Sequence, residues 1–293
     1  MRILIAYDGS TYADAAIEDL RRAGMPRQCE AIVVSVVHHG SADAWKATMK
    51  EAEAIATEVQ NRIQSYFPGW SVSSEALWGD PANMILKTID VWKPDLVVLG
   101  SHGRSAPARL ILGSVSAEVI RHAPCSVRVV RKRAKSEKPI RVLIATDGSA
   151  SAEASLDAVV SRSWPEGTEA RVLAVMQSLV PVPTTVPALE GQTLASESAY
   201  HVIEEADERE RVRLGRSIER AAERLQEAGL VADSLVIDGD PRTDVNAEAQ
   251  RWQADCVFVG ARGLGALDRL LLGSVSGAVV GHAHCAVEVV RHR

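Results

Sequence analysis

The apolar positions of this chain fall into short, dense runs of strand length, and between them apolar residues recur at helical spacing. Arg2 to Tyr7 is the first run, stopped by Asp8-Gly9-Ser10. Tyr12 to Ala23 follows, with Ala16, Leu20 and Ala23 on one helical face. Ala31 to Val37 reads as a valine-rich second strand, Ala42 to Tyr66 as a long amphipathic helix ended by Pro68-Gly69, and Val72 to Leu77 as a third strand. The turn Gly79-Asp80-Pro81 puts proline where the first turn of a helix tolerates it, and that helix runs to about Trp92. Asp95 to Leu99 is a fourth strand. A helix begins at Gly113 and ends near His122-Ala123-Pro124, and Ser126 to Val130 is the fifth strand.

After a short charged stretch, Arg131 to Pro139, the pattern starts again. Ile140 to Ser149 repeats Met1 to Ser10 in kind, Ala170 to Met176 matches the second strand, Leu235 to Ile237 the third, and Gly239-Asp240-Pro241 the turn. Aligned without gaps, Trp92–Arg131 and Trp252–Arg291 agree at 21 of 40 positions, so the chain is a duplicated domain. The expected organisation is a first domain over 1–133, a linker over 134–139 and a second domain over 140–293. The copies lie 139 residues apart at Asp8 and Asp147 but 160 apart at Gly100 and Gly260. The difference marks an insertion at about 177–200, which carries Pro181, Pro183 and Pro187 and follows the carboxyl end of a strand. A connection of that length is expected to cover or neighbour the second site.

Near-continuous apolar strands alternating with helices predict a parallel sheet covered on both faces. The fold class is therefore α/β: two tandem copies of a doubly wound five-stranded parallel sheet. Right-handed crossovers then place a ligand crevice at the carboxyl ends of the strands, where Asp8, the end of the second strand and the loop at Gly100 all fall.

Composition narrows the partners. The 293 residues suit two domains at ~150 residues each. A net charge of −5 and only 4% aromatic residues argue against nucleic-acid or anionic-membrane binding. No apolar run nears the ~20 residues of a spanning helix and no signal-peptide pattern opens the chain, so a cytoplasmic protein without membrane insertion is expected. Cys29, Cys125, Cys256 and Cys285 form no C-x-x-C pair; they read as reduced core thiols.

The candidate chemistry sits after the fourth strand. Gly100 and Gly103 are followed, nine residues on, by Gly113-Ser114, and the same spacing recurs at Gly260, Gly263 and Gly273-Ser274. A strand that ends in small residues and opens into a helix N-terminus can hold phosphate on backbone N–H groups. Gly100 and Gly103 are expected to let the backbone approach a polyphosphate and to tolerate positive φ. Gly113, Ser114 and Ser116, like Gly273, Ser274 and Ser276, would turn N–H and hydroxyl groups toward an anion. The same residues would equally make a tight strand–loop–helix connection with a serine cap. The G-x4-G-K-S/T lysine of a P-loop is absent, so positive charge would come from Arg104 and Arg109, or Arg262 and Arg269, unless these are solvated surface arginines. His102, matched by Arg262, reads as a loop histidine meeting phosphate or solvent. His122 and His282 read as partners of helix C-termini. No Ser/His/Asp set and no metal-spaced cluster is present.

Asp-Gly-Ser closing the first strand, with G-x2-G-x9-G-S/T after the fourth, resembles the universal stress protein family in its tandem-domain, ATP-binding form. The resemblance implies the adenine nucleotide alpha hydrolase-like sheet with strand order 3-2-1-4-5. It implies ATP, or ADP or AMP, as the ligand, with Mg2+ carried on the nucleotide by phosphates and water. On that basis Asp8 and Asp147 would bind ribose hydroxyls, although each suits an Asx-turn as well. Their neighbours Ala6, Tyr7, Ala145 and Thr146 join the site, with Ala6 and Ala145 standing where many family members have proline. Val36 and Val175 would meet adenine through main-chain groups, or are simply core valines. Leu99, Gly100, His102, Gly103, Arg104, Gly113, Ser114, Val115 and Ser116 would line the first phosphate loop. Val259, Gly260, Arg262, Gly263, Gly273, Ser274, Val275 and Ser276 would line the second. The last strands, Cys125–Arg131 and Cys285–Arg291, are expected to pair inside one chain across a pseudo-two-fold axis with Arg128 facing Glu288; a homodimer is a further assembly the family admits. The function implied is an ATP-binding stress-response or regulatory module. A slow ATPase or other nucleotide-processing enzyme of the same fold is the first alternative, disfavoured by the lack of an evident base or nucleophile. An interaction scaffold with incidental nucleotide is the second.

Overall fold

The computed structural model describes residues 1–37, 45–103, 112–132, 138–177, 193–263 and 272–291. The first copy runs β1 (Arg2–Ala6), α1 (Thr11–Leu20), β2 (Cys29–Val37), α2 (Trp45–Tyr66), β3 (Trp70–Trp78), α3 (Pro81–Trp92), β4 (Leu96–Gly100), α4 (Ser114–His122) and β5 (Ser126–Val130). The second runs β6 (Arg141–Thr146), α5 (Ala150–Val160), β7 (Glu169–Met176), α6 (Thr193–Glu227), β8 (Val231–Asp238), α7 (Pro241–Arg251), β9 (Cys256–Gly260), α8 (Ser274–His282) and β10 (Ala286–Val290). Each copy has the strand order 3-2-1-4-5, all parallel.

Local chemistry fixes where the helices start. Ser10 and Ser149 accept the N–H of Ala13 and Ala152 at 3.1 and 3.2 Å, capping α1 and α5. Asp80 and Asp240 cap α3 and α7, with Pro81 and Pro241 in the first turn, so the repeated Gly-Asp-Pro triplet is a helix start in both copies. Gly79 and Gly239 adopt positive φ and send their N–H groups to the carbonyls of Val37 and Met176, which ties each triplet to the end of its second strand.

Two differences from the sequence reading stand out. Helix α6 is 35 residues long against 22 for α2, so the insertion contributes helix from Thr193 onward; residues 178–192, with Pro181, Pro183 and Pro187, lie outside the described residues, as do 42–44. Gly113 and Gly273 cap α4 and α8 rather than opening them.

The inner strands are buried on both faces, while the outer strands β3 and β8 expose part of theirs. One apolar layer gathers α1, α2, α5 and α6, through residues such as Ile17, Ile63, Leu156 and Leu225. The other gathers α3, α4, α7 and α8, through Ile89, Ile120, Ala249 and Val279. Both layers run unbroken from one copy into the other, because β5 and β10 lie side by side in a single ten-stranded sheet. Their pairing is antiparallel, with Val129 opposite Val287, Arg128 opposite Glu288 and Val127 opposite Val289.

That seam holds buried charge. Arg128 and Glu288 are each 1% exposed and meet at 3.2 Å. Arg128 also grips both oxygens of Asp19, at 2.6 and 3.2 Å, and Arg162 reaches the other oxygen of Glu288. Burial opposes the charge of Arg128, but Asp19 and Glu288 hold its pKa well above the ordinary arginine value. The ring of Phe258, fully buried, lies beneath both guanidinium groups at 5.9 and 5.0 Å. Phe258→Ala removes this apolar floor and leaves a cavity under two charges. Urea unfolding is expected to show a loss of about 3–5 kcal/mol; a loss below about 1 kcal/mol would mean that the seam does not depend on the ring.

Candidate functional site

The site is built where β1 and β4, or β6 and β9, end side by side. Here Gly100 and Gly260 work by lacking a side chain. A Cβ on Gly100 would sit 2.7 Å from the backbone of Tyr12, and one on Gly260 2.7 Å from that of Ser151. The first turn of α1 or α5 therefore rests directly on the strand end. None of Gly100, Gly103, Gly260 and Gly263 has the positive φ that it could tolerate; close approach alone accounts for the first of each pair. At Gly103 and Gly263 the neighbour is the aspartate: a Cβ would come within 2.9 Å of Asp8 Oδ2 and 2.6 Å of Asp147 Oδ2.

Both aspartates make the Asx-turn. Asp8 Oδ1 accepts the N–H of Ser10, and Asp147 Oδ1 that of Ser149, each at 3.0 Å. Oδ2 is the oxygen turned toward the glycine loop. The chain then returns: the N–H groups of Gly113 and Gly273 donate to the carbonyls of Ser101 and Ala261 at 2.8 Å. The buried Ser116 and Ser276 hydroxyls donate to the Gly100 and Gly260 carbonyls at 2.8 and 2.6 Å. These two serines lock helix to strand end instead of turning their hydroxyls outward. No side chain caps α4 or α8, while Ser114 and Ser274 are exposed. Uncapped first-turn N–H groups carry partial positive charge, the feature that draws anions to helix N-termini.

In the second copy these parts surround one cavity of about 600 Å3. Its walls include these second-copy residues singled out from the sequence: Ala145, Thr146 and Asp147, Val175, Val259, Gly260, Arg262, Gly263 and Gly273 through Ser276. That volume falls within the roughly 300–1,000 Å3 of small-molecule sites. Sequence reasoning missed the walls from α6, Glu210 and Leu214, and those from α7, Pro241 and Val245. The Gly-Asp-Pro triplet was an available signal for α7. For α6 the signal is harder to see: Ala52, Ala56, Val59 and Ile63 match Leu214, Ile218, Ala221 and Leu225 in burial, a spacing of 162 residues. By that spacing Glu210 and Arg213 stand where the first copy has Thr48 and Glu51. Arg213 holds the Glu210 carboxylate at 2.7 and 2.6 Å, which depresses its pKa, and reaches to 3.5 Å from the Cβ position of Gly148 beside Asp147.

The first copy has the same floor with different fittings. Leu99 is buried, Ala6, Val36 and Val115 are half-buried at the strand and helix ends, and Gly103 is exposed. His102 departs from the sequence reading: it is 9% exposed, its Nδ1 lies 3.0 Å from Ser101 Oγ, and its ring lies against Tyr12 at 4.9 Å. His122 and His282 do bond at helix ends, their Nδ1 atoms 3.1 and 3.0 Å from the carbonyls of Glu118 and Ala278. Arg104, Arg109 and Arg269 lie outside the described residues. Tyr7, next to Asp8, donates to Asp14 Oδ1 at 2.7 Å, and Arg62 donates to the same oxygen at 2.9 Å. Among the described residues no group of three or more His, Cys, Asp or Glu could hold a metal ion, and no helix is long and apolar enough to cross a membrane.

Fold and site together define a tandem doubly wound α/β protein with a crevice at the carboxyl ends of its strands. The universal stress protein family profile matches residues 1–131 and again 140–291, and the chain belongs to that family. It is 30% identical over 224 residues to universal stress protein Rv2005c of Mycobacterium tuberculosis, covering 75% of this chain and 69% of the relative. It is 26% identical to a universal stress protein of Mycolicibacterium smegmatis over 99% of this chain and 97% of the relative. Among solved structures, a universal stress protein from Archaeoglobus fulgidus superposes with a TM-score of 0.66 at 21% identity, covering 99% and 98% of the two chains.

Burial, then the hydrogen bond to Asp14, pushes the Tyr7 phenol up to about 12 from 10.0. A phenol protonated when folded and ionised when unfolded loses stabilisation as pH rises between these two values. Stability is thus expected to fall between pH 10 and about 12. In Tyr7→Phe, tyrosinate absorbance should lack the highest-titrating phenol and that part of the stability decline should vanish; an unchanged titration would contradict the assignment.

Proposed function

We propose that this chain is a nucleotide-binding stress-response module whose ligand is ATP, ADP or AMP. Its two domains, 1–133 and 140–293, pair through their last strands within one molecule. One observation carries the reading: the uncapped N-terminus of α8, a strand-end carboxylate, Asp147, and apolar strand ends line a single cavity. That is the donor set a nucleotide needs. First-turn N–H groups and the Gly263 loop suit a polyphosphate, Asp147 suits ribose hydroxyls, and Val175 and Val245 offer apolar surface to a base. Mg2+ would be held by phosphates and water, since the described residues offer no cation cage.

The chemistry favours binding over rapid turnover. The Ser276 hydroxyl is spent on the Gly260 carbonyl, and Asp147 Oδ1 on the Ser149 N–H. A general base would have to stand within reach of the γ-phosphate. The first site would use the equivalent Asp8, Gly103 and Gly113–Ser116, so up to two nucleotides per chain are expected. Gln177, the residue after β7, lines the second cavity, which supports the expectation that the insertion neighbours that site.

Isothermal titration of the full chain with ATP, ADP and AMP in the presence of Mg2+ tests this directly. Gly263→Ala would thrust a methyl group to 2.6 Å from Asp147 Oδ2, and Asp147→Ala would remove the carboxylate. Each should weaken one of the two binding events at least ~10-fold, equivalent to about 1.4 kcal/mol. No binding heat from the unaltered chain with any of the three nucleotides would overturn the reading.

A further inference from the structure

The seam between β5 and β10 is built on a local two-fold. Residues 127, 128 and 129 match 287, 288 and 289 at the 160-residue spacing of the copies, and the register sets 127 opposite 289 and 129 opposite 287. The pseudo-axis therefore passes through the pair at 128 and 288. A residue on a two-fold axis meets its own equivalent, so in a first-with-first pairing Arg128 would face Arg128, and in a second-with-second pairing Glu288 would face Glu288.

Much of the rest of the seam is indifferent to which copy meets which. The Arg131 guanidinium donates to the carbonyls of Val280 and Gly281 at the end of α8, and Arg291 donates to Ile120 near the end of α4, at 2.6 to 2.8 Å. These contacts are the same contact seen from the two sides, and any pairing of the copies would make them. What differs between the copies is the charge at the axis and its flanks. Asp19 supports Arg128 from within the first copy, where the second has Ala158; Arg162 supports Glu288 from within the second, where the first has Ala23. At the axis itself Arg128 Nη1 donates across to Glu288 Oε2, and beside it Arg162 crosses too, donating to the Ala23 carbonyl at 3.0 Å.

Shape adds a second difference. The N–H of Ser163 donates to the carbonyl of Gly24, its equivalent in the other copy, and the Trp164 indole lies flat on Gly24. A Cβ there would collide with the ring at 2.6 Å, and Gly24 has φ +62, which side chains resist. In a second-with-second pairing Trp164 would meet Ser163, whose side chain fills the space that Gly24 leaves.

We propose that the axis pair Arg128–Glu288, seconded by Trp164 on Gly24, restricts the fifth-strand edge to one partner, the other copy of this fold, and forbids like-with-like pairing. Buried like charges lose both the crossing hydrogen bond and its attraction, so an exposed edge strand that could pair with many chains is made selective. The chain closes on itself, and neither edge is left to recruit a second molecule by self-recognition.

The test uses the full chain with a protease site placed in the linker between Lys132 and Lys138, cut after folding, so that the halves differ in mass. The nicked protein is unfolded in urea, refolded, and weighed by native mass spectrometry. Free choice would give heterodimer and the two homodimers at 2:1:1. The proposal expects heterodimer at least about twentyfold over either homodimer, the statistical factor of two multiplied by the roughly tenfold effect of a like-charge clash of about 1.4 kcal/mol. Cutting yields the halves in equal amounts, so the two homodimers stay equal; in Arg128→Gln with Glu288→Gln the heterodimer's excess over both should shrink toward the random ratio, stopping short of it because Gly24 and Trp164 still disfavour the second-copy homodimer. A random ratio in the unaltered protein, failure of the heterodimer to re-form, or an unchanged excess in the double variant would each overturn it. The readout needs no nucleotide, so it stands or falls separately from the binding titration.

Discussion

Everything at the site depends on a backbone-to-backbone contact. The end of β4 lies so close to the first turn of α1 that a Cβ on Gly100 would stand 2.7 Å from the Tyr12 carbonyl carbon, and Gly260 repeats this against Ser151. Only glycine permits the approach, and the approach brings the loop after β4 against the loop after β1. Asp8 and Asp147 thereby come to lie under Gly103 and Gly263, where a methyl group would already crowd the carboxylate. The Ser116 and Ser276 hydroxyls then fasten the following helix to the same strand end through the glycine carbonyl. Strand end, aspartate and helix N-terminus are held in one small volume by contacts that leave the first-turn N–H groups without a side-chain cap.

Much of this was legible in the sequence. The strands announced themselves because a doubly covered parallel sheet demands apolar residues on both faces, and the repeat showed that the same demand is met twice. The glycine spacing pointed to the right loop, although its glycines serve by steric room rather than positive φ. What escaped the sequence depends on packing between distant segments. Glu210 lines the cavity from α6, at the helical position that Thr48 holds on α2, and nothing local to Glu210 reveals that. His102 looked like a loop histidine, yet Tyr12 and Ser101 bury it from two sides. The expectation that Arg128 faces Glu288 holds in the register, but nothing local showed that Asp19 and Arg162 extend that pair into a chain of four charges.

The two copies share a scaffold and differ in what they hang on it. Where the second cavity has the Glu210–Arg213 pair next to Gly148, the first copy has Thr48 and Glu51 at the matching helical positions, and a Tyr7–Asp14–Arg62 cluster replaces Thr146 and its surroundings. In both copies the hydroxyl of Ser116 or Ser276 and one oxygen of Asp8 or Asp147 brace the loop. A rigid floor with differing walls suits a molecule that reads one class of ligand at two unequal sites. The seam locks both sites to one continuous sheet, so a ligand that shifts one copy acts on a body shared with the other.

In the proposed complex a nucleotide lies with its phosphates on the start of α8 and its ribose on Asp147. A crystal structure of the full chain grown with saturating ATP and Mg2+ is the decisive measurement. Polyphosphate density is expected against the N–H groups of residues 274–276 and the Gly263 loop, with ribose hydroxyls on the Asp147 carboxylate. An empty second cavity, or a nucleotide bound in it with its phosphates turned away from α8, would contradict it.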